Sequence, residues 1–189
     1  MLNPSDGLDY WDRQAYTLGV KVAEDANAAN DAAVPTPSYS MTGTLYLKIN
    51  SKNEPWLMLS VPAALVRGVF DGLHEPGIEL PLDSKGMLTP HVSCIRPEEI
   101  LLAGGPDAFR NDRGKPFKYN LGQLIEFEPD GWKEMDRCWV LKVHSPELQQ
   151  MRISHGLPAL PKYPFHLTCA VRRRGILSRN DKAKDTTPA

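Results

Sequence analysis

Between Tyr39 and Val171 apolar residues tend to fall at every second position, in runs separated by proline and glycine. In Thr44-Leu45-Tyr46-Leu47-Lys48-Ile49 the aliphatic residues share one face and Thr44, Tyr46 and Lys48 the other, the pattern of a half-buried strand. Asn50 to Pro55 supplies a turn, and Trp56 to Val61 reads as a second strand. A helix starts at Pro62, its first position, with Leu65, Val66, Val69, Phe70 and Leu73 on one face. A Pro/Gly-rich loop from Glu75 to Thr89 then leads into a short strand beginning at His91. Pro97 to Leu102 predicts a short helix that stops near Gly104 and Gly105, and residues 103–117 read as a polar linker. Phe117 to Glu128 alternates again, with Tyr119, Leu121, Gln123, Ile125 and Phe127 assigned to one face. After a turn at Pro129-Asp130-Gly131, Cys138 to Val143 forms a strand. Ser145, Pro146 and Glu147 then supply an N-cap, a first-turn proline and a first-turn acid. Leu148 and Met151 line this helix, Gly156 ends it, and Pro158 to Pro164 leads to a last strand reaching Val171.

Ahead of this region the period changes. Trp11, Ala15, Leu18 and Val22 form one stripe of a helix over residues 8–30, capped by Ser5 or Asp6 and ended by Val34-Pro35-Thr36-Pro37. Such a helix either packs on the rest of the chain or serves self-association; packing is the plainer reading, because isolated helices are marginal. The segment after Arg174 has little to bury and is expected to be disordered. The expected organisation is an N-terminal helix and linker (1–37), a folded domain (38–174) with halves at about 38–105 and 115–174, and a tail (175–189).

Composition narrows the class. A chain of 189 residues with 41% hydrophobic and 24% charged residues suits one soluble domain with a real core. Its net charge of −1 argues against a broad field for duplex DNA while allowing a local basic cleft. The three cysteines, Cys94, Cys138 and Cys169, have no zinc spacing and read as reduced core residues, which points to the cytoplasm. Met1 to Asp6 lacks the basic start and apolar run of a secretory signal, and no apolar run approaches the roughly 20 residues needed to span a bilayer, so no membrane partner is expected.

The two short strands carry the chemistry. Pro90-His91-Val92-Ser93-Cys94-Ile95 and Pro164-Phe165-His166-Leu167-Thr168-Cys169-Ala170 repeat one device: a proline, then a histidine, an apolar residue, a hydroxyl residue and a cysteine. Along a strand the histidine and the hydroxyl two residues on share a face, and the residues between and after them turn to the core. The histidines lie 75 residues apart, and each motif follows a strand, a proline-started helix and a loop. This repeat predicts two pseudo-symmetric half-domains that bring His91 and His166 to one cleft. Two imidazoles across one substrate can act as general base and general acid near neutral pH. In-line phosphoryl transfer needs both roles at once, with Ser93 and Thr168 donating hydrogen bonds to the non-bridging oxygens. His-x-Ser is not a metal-ligand spacing and no carboxylate cluster adjoins either motif, so no metal or other cofactor is expected.

At these residues the chain resembles the 2H phosphoesterase superfamily, whose mark is two His-x-Thr/Ser motifs, one per lobe. The likeness extends over about residues 40–174 through the order of elements, and departs from the common pattern in having Ser93 where threonine is usual and in the extra N-terminal helix. It implies an α+β, bilobal fold of two antiparallel sheets with helices outside and a central cleft. It also implies metal-independent cleavage of nucleotide phosphodiesters: cyclic oligonucleotides, or RNA 2′,3′-cyclic and 2′-5′ linkages. The small layout is similar to phage-encoded members that destroy the cyclic nucleotides of bacterial antiviral signalling, in the host cytoplasm. Tyr46, Lys48, Arg96, Lys162, Tyr163 and Arg172 are the candidate substrate contacts, Tyr163 for stacking and Arg172 for a flanking phosphate or base. Arg173 reads as a solvated strand end, and Trp56 and Trp139 as core residues without a site role. The competing reading is a module that binds a nucleotide or RNA end in the same cleft without turnover.

Overall fold

The structure, a computed structural model, describes residues 40–128 and 134–174; the expected N-terminal helix and C-terminal tail lie outside them. Among the described residues seven strands and three helices follow in order: β1 (Met41–Ile49), β2 (Pro55–Ser60), α1 (Ala63–Asp71), β3 (Ile78–Glu79), β4 (His91–Ile95), α2 (Pro97–Leu102), β5 (Pro116–Phe127), β6 (Met135–His144), α3 (Pro146–Ser154) and β7 (His166–Arg173). A short 3-10 helix, Pro106–Phe109, interrupts the linker between the halves. The fold is α+β, as the alternation of periods implies.

Each half is an antiparallel meander, β1-β2-β4 and β5-β6-β7, with a helix between its second and third strands. Two separate sheets were expected from the resemblance, but all seven strands join in one sheet, ordered β3-β7-β4-β2-β1-β5-β6, and β6 returns to pair with β7. Three non-local seams fuse the halves. One is β4 against β7 at Val92–Leu167; the second is Met41 to Thr44 of β1 against Pro116 to Tyr119 of β5; the third is β3 against β7 at Ile78–Arg172 and Glu79–Val171. Gly43 permits the second seam. A Cβ there would lie 2.3 Å from the Ser60 carbonyl oxygen, so only glycine fits where β1 passes from β2 to β5.

Helices α2 and α3 begin where the sequence places them. Ser145 Oγ accepts the Leu148 N–H at 3.2 Å and donates to the Lys118 carbonyl at 2.6 Å, tying α3 to β5. Leu148 and Met151 are buried below it. Pro62 is the N-cap of α1 rather than its first residue, and Val66 is its buried anchor. The main core packs Leu45, Leu57, Leu59, Val92, Ile95 and Leu167 with the apolar sides of the helices. The face predicted for β5 does not hold along its length. The register shifts between Leu121 and Leu124, so Phe117 and Tyr119 enter the main core while Ile125 and Phe127 pack in a second cluster with Cys138, Val140 and Val171. The strand β3 was missed inside the Pro/Gly-rich loop; two residues are too few to alternate.

Candidate functional site

Val92 pairs with Leu167, and antiparallel pairing then sets His91 across from Thr168 and Ser93 across from His166. The two motifs are therefore neighbours related by a local twofold at this pair. Val92, Leu167, Cys94 and Cys169 are fully buried in the core, while His91, Ser93, His166 and Thr168 turn to the opposite face and line one cavity of about 430 Å³.

The two histidines are held alike. His91 Nδ1–H donates to the Thr89 carbonyl at 2.9 Å, and His166 Nδ1–H donates to the Pro164 carbonyl at 2.7 Å. A carbonyl can only accept, so each Nδ1 carries the proton and each Nε2 is the acceptor nitrogen of its ring. Each acceptor lies two residues upstream: Thr89, just before Pro90, in the first motif and Pro164 itself in the second. Burial pushes the pKa of both imidazoles down. The Lys48 charge adds to this at His91, and the charges of His91 and Arg96 add to it at His166, whereas the carbonyl bonds act the other way.

Both motif strands carry one extra residue at the cysteine. Leu57 pairs with Ile95 but Met58 with Ser93, leaving Cys94 bulged; Trp139 pairs with Ala170 but Val140 with Thr168, leaving Cys169 bulged. Each bulge reverses the alternation after it. Arg96 therefore joins His91 and Ser93 in the cavity wall, and Val171 and Arg173 join His166 and Thr168. Arg172 turns away and is ion-paired with Asp136 at 3.2 Å. The expectation is thus corrected: Arg173, read as a solvated end, lines the cavity, and Arg172 does not. A buried arginine holds the first bulge. Arg152 Nη1 donates to the Cys94 carbonyl at 2.7 Å, and the same guanidinium pairs with Glu99 at 2.5 Å and reaches the Pro158 carbonyl at 2.8 Å.

Lys48, Arg96 and Tyr163 line the cavity as anticipated. Tyr46 stands behind the wall, its hydroxyl donating to Met58 Sδ at 3.7 Å, and Lys162 is exposed, its ammonium 5.5 Å from the Tyr163 ring centre. Neither is in the lining. Trp56, assigned to the core, is instead a wall residue. Its indole N–H is buried with no acceptor among the described residues. The Arg96 guanidinium lies 4.7 Å from the Tyr163 ring centre and 5.5 Å from that of Trp56. Lys48, Arg96 and Arg173 bring cations to the lining, Arg173 ion-paired with Glu79 at 3.1 Å and Arg96 with Glu98 at 3.6 Å from outside it, and among the described residues no carboxylate side chain shares the lining. A chain of net charge −1 thus opens a cationic cavity suited to an anion. Among the described residues, no group of three or more His, Cys, Asp or Glu side chains is placed to hold a metal ion. No helix there is long and apolar enough to cross a membrane. Comparison with protein-family models, curated proteins and solved structures gave no match for the chain.

Proposed function

We propose that the chain is a metal-independent phosphodiesterase of the 2H type, acting on nucleotide phosphodiesters with His91 and His166 as the acid–base pair. The supporting observation is the juxtaposition across Val92–Leu167: two histidines and two hydroxyls in one cavity, each imidazole oriented by a carbonyl two residues upstream. One Nε2 takes the proton of the attacking hydroxyl or water, and the other, protonated, gives its proton to the leaving oxygen. Ser93 and Thr168 donate to the non-bridging oxygens, and Lys48 and Arg96 offset the charge that builds there. The bilobal fold of the family corresponds, in this reading, to the two meanders, fused through their motif strands. The cationic wall favours an anionic ligand in either a catalytic or a purely binding role, so turnover is the deciding property. Incubation with cyclic di- and trinucleotides, 2′-5′ dinucleotides and RNA 2′,3′-cyclic ends, with EDTA present, tests the proposal. Cleavage by the wild type, lost in His166→Ala, supports it. Stable binding with no product over hours favours a sponge or sensor of host cyclic-nucleotide signalling instead.

A further inference from the structure

The twofold that relates the motifs also relates what lies beyond them. Arg96 is four residues past Val92, and Val171 is four residues past Leu167, each after a bulge at cysteine and each in the cavity wall. They mark opposite ends of the cavity, each about 10 Å of strand from its centre once the bulged residue is discounted. The His/Ser/Thr quartet lies between them.

Placement is symmetric but chemistry is not. At one end Arg96 lies over Tyr163 and beside Trp56, a planar, cationic clamp with an orphan indole donor. The other end is lined by Phe127, Met135, Cys138 and Val171, with Arg173 alongside. Each end suits a ring: the first by guanidinium and aromatic stacking, the second by apolar and sulfur contact. A mononucleoside cyclic phosphate would fill one end and leave the apolar end wet.

We infer that the site takes an internal phosphodiester with a nucleoside on each side, one in the Arg96–Tyr163–Trp56 clamp and one in the Phe127–Met135–Val171 end. The inference rests on the phosphodiesterase reading and names the substrate class within it.

Calorimetry on the full chain tests this with two probes that lack the 2′-hydroxyl and so cannot transesterify: a deoxydinucleoside monophosphate and a deoxynucleoside 3′-monophosphate. The dinucleotide is expected to bind at least about tenfold more tightly. Arg96→Ala should weaken both probes by about tenfold or more. Val171→Thr should erode the dinucleotide preference and spare the mononucleotide. Equal affinity for the two probes, no binding of either, or a Val171→Thr effect shared equally by both overturns the inference. Binding is read here without turnover. Dinucleotide preference without catalysis would defeat the enzyme reading and keep the two-ring site; catalysis without that preference would do the reverse.

Discussion

Arg152 is fully buried, and its removal has a calculable cost. Its guanidinium neutralises Glu99 and satisfies the carbonyls of Cys94 and Pro158. Arg152→Met keeps most of the volume and leaves a largely buried carboxylate and two carbonyls without their partner. Breaking a buried pair in this way costs about 3–5 kcal/mol, a large part of the roughly 5–15 kcal/mol that a domain has to lose. For a chain of this size the melting temperature should fall by roughly 6–20 °C. The pH dependence is diagnostic. Burial alone would raise the Glu99 pKa, but the Arg152 bonds and charge, with the Arg96 N–H, more than offset it and the net shift is downward. In the wild type this contribution is present above the unfolded carboxylate value and is lost as pH falls through the lowered folded value. Without Arg152, burial prevails and Glu99 takes up its proton sooner. The deficit of the variant should therefore shrink as pH falls from about 7 toward about 4, and Glu99→Gln in the Arg152→Met background should restore part of the loss. Thermal melts by circular dichroism at both pH values measure this. A fall of less than about 2 °C near neutral pH, or a gap that widens on acidification, refutes the reasoning.

Four other outcomes follow from the structure. Both imidazoles are pushed below the ordinary histidine value by burial, so the bell-shaped pH–rate profile of kcat/KM should peak on the acid side of about 6.5; a peak well above neutrality would contradict it. The same shifts make the folded state resist protonation, so urea titrations should show stability declining as pH falls from about 6.5 toward the lower folded values. Burial pushes the thiols up to about 12 at Cys94 and Cys138 and about 11 at Cys169, so a thiol reagent at neutral pH should label none of them until the protein is unfolded. Gly43→Ala must displace the Ser60 carbonyl or the β1 backbone, and should lower stability by about 1–3 kcal/mol in urea titrations.

Local features were legible in the sequence because their causes are local. The Ser145-Pro146-Glu147 cap, the burial of Leu148 and Met151, and the inward Cys94 and Cys169 each depend on spacing within one element. The pairing of His91 with His166 was legible because the repeat supplies two copies of one context. What strict alternation could not reveal is the bulges. A one-residue register shift at Cys94 or Cys169 is set by the partner strand, and it decides that Arg173 rather than Arg172 faces the cavity. Trp56 was misplaced for a related reason. An aromatic residue opening an apolar strand reads as core, and only the β1–β2–β4 packing shows that it borders the cavity. The joining of the two halves into one sheet rests on the Val92–Leu167, Met41–Thr44 and Ile78–Glu79 seams, contacts too distant in the chain for any local pattern to announce.

The central claim is that His91 and His166 act together on one phosphorus atom. The most direct measurement is kcat/KM for His91→Ala, His166→Ala and the double variant on a dinucleotide that the wild type cleaves. Groups that act as a unit lose their effect together, so each single variant should fall by about 100-fold or more and the double should fall little further. Wild-type rates in either single variant, or losses that multiply in the double, would contradict the account.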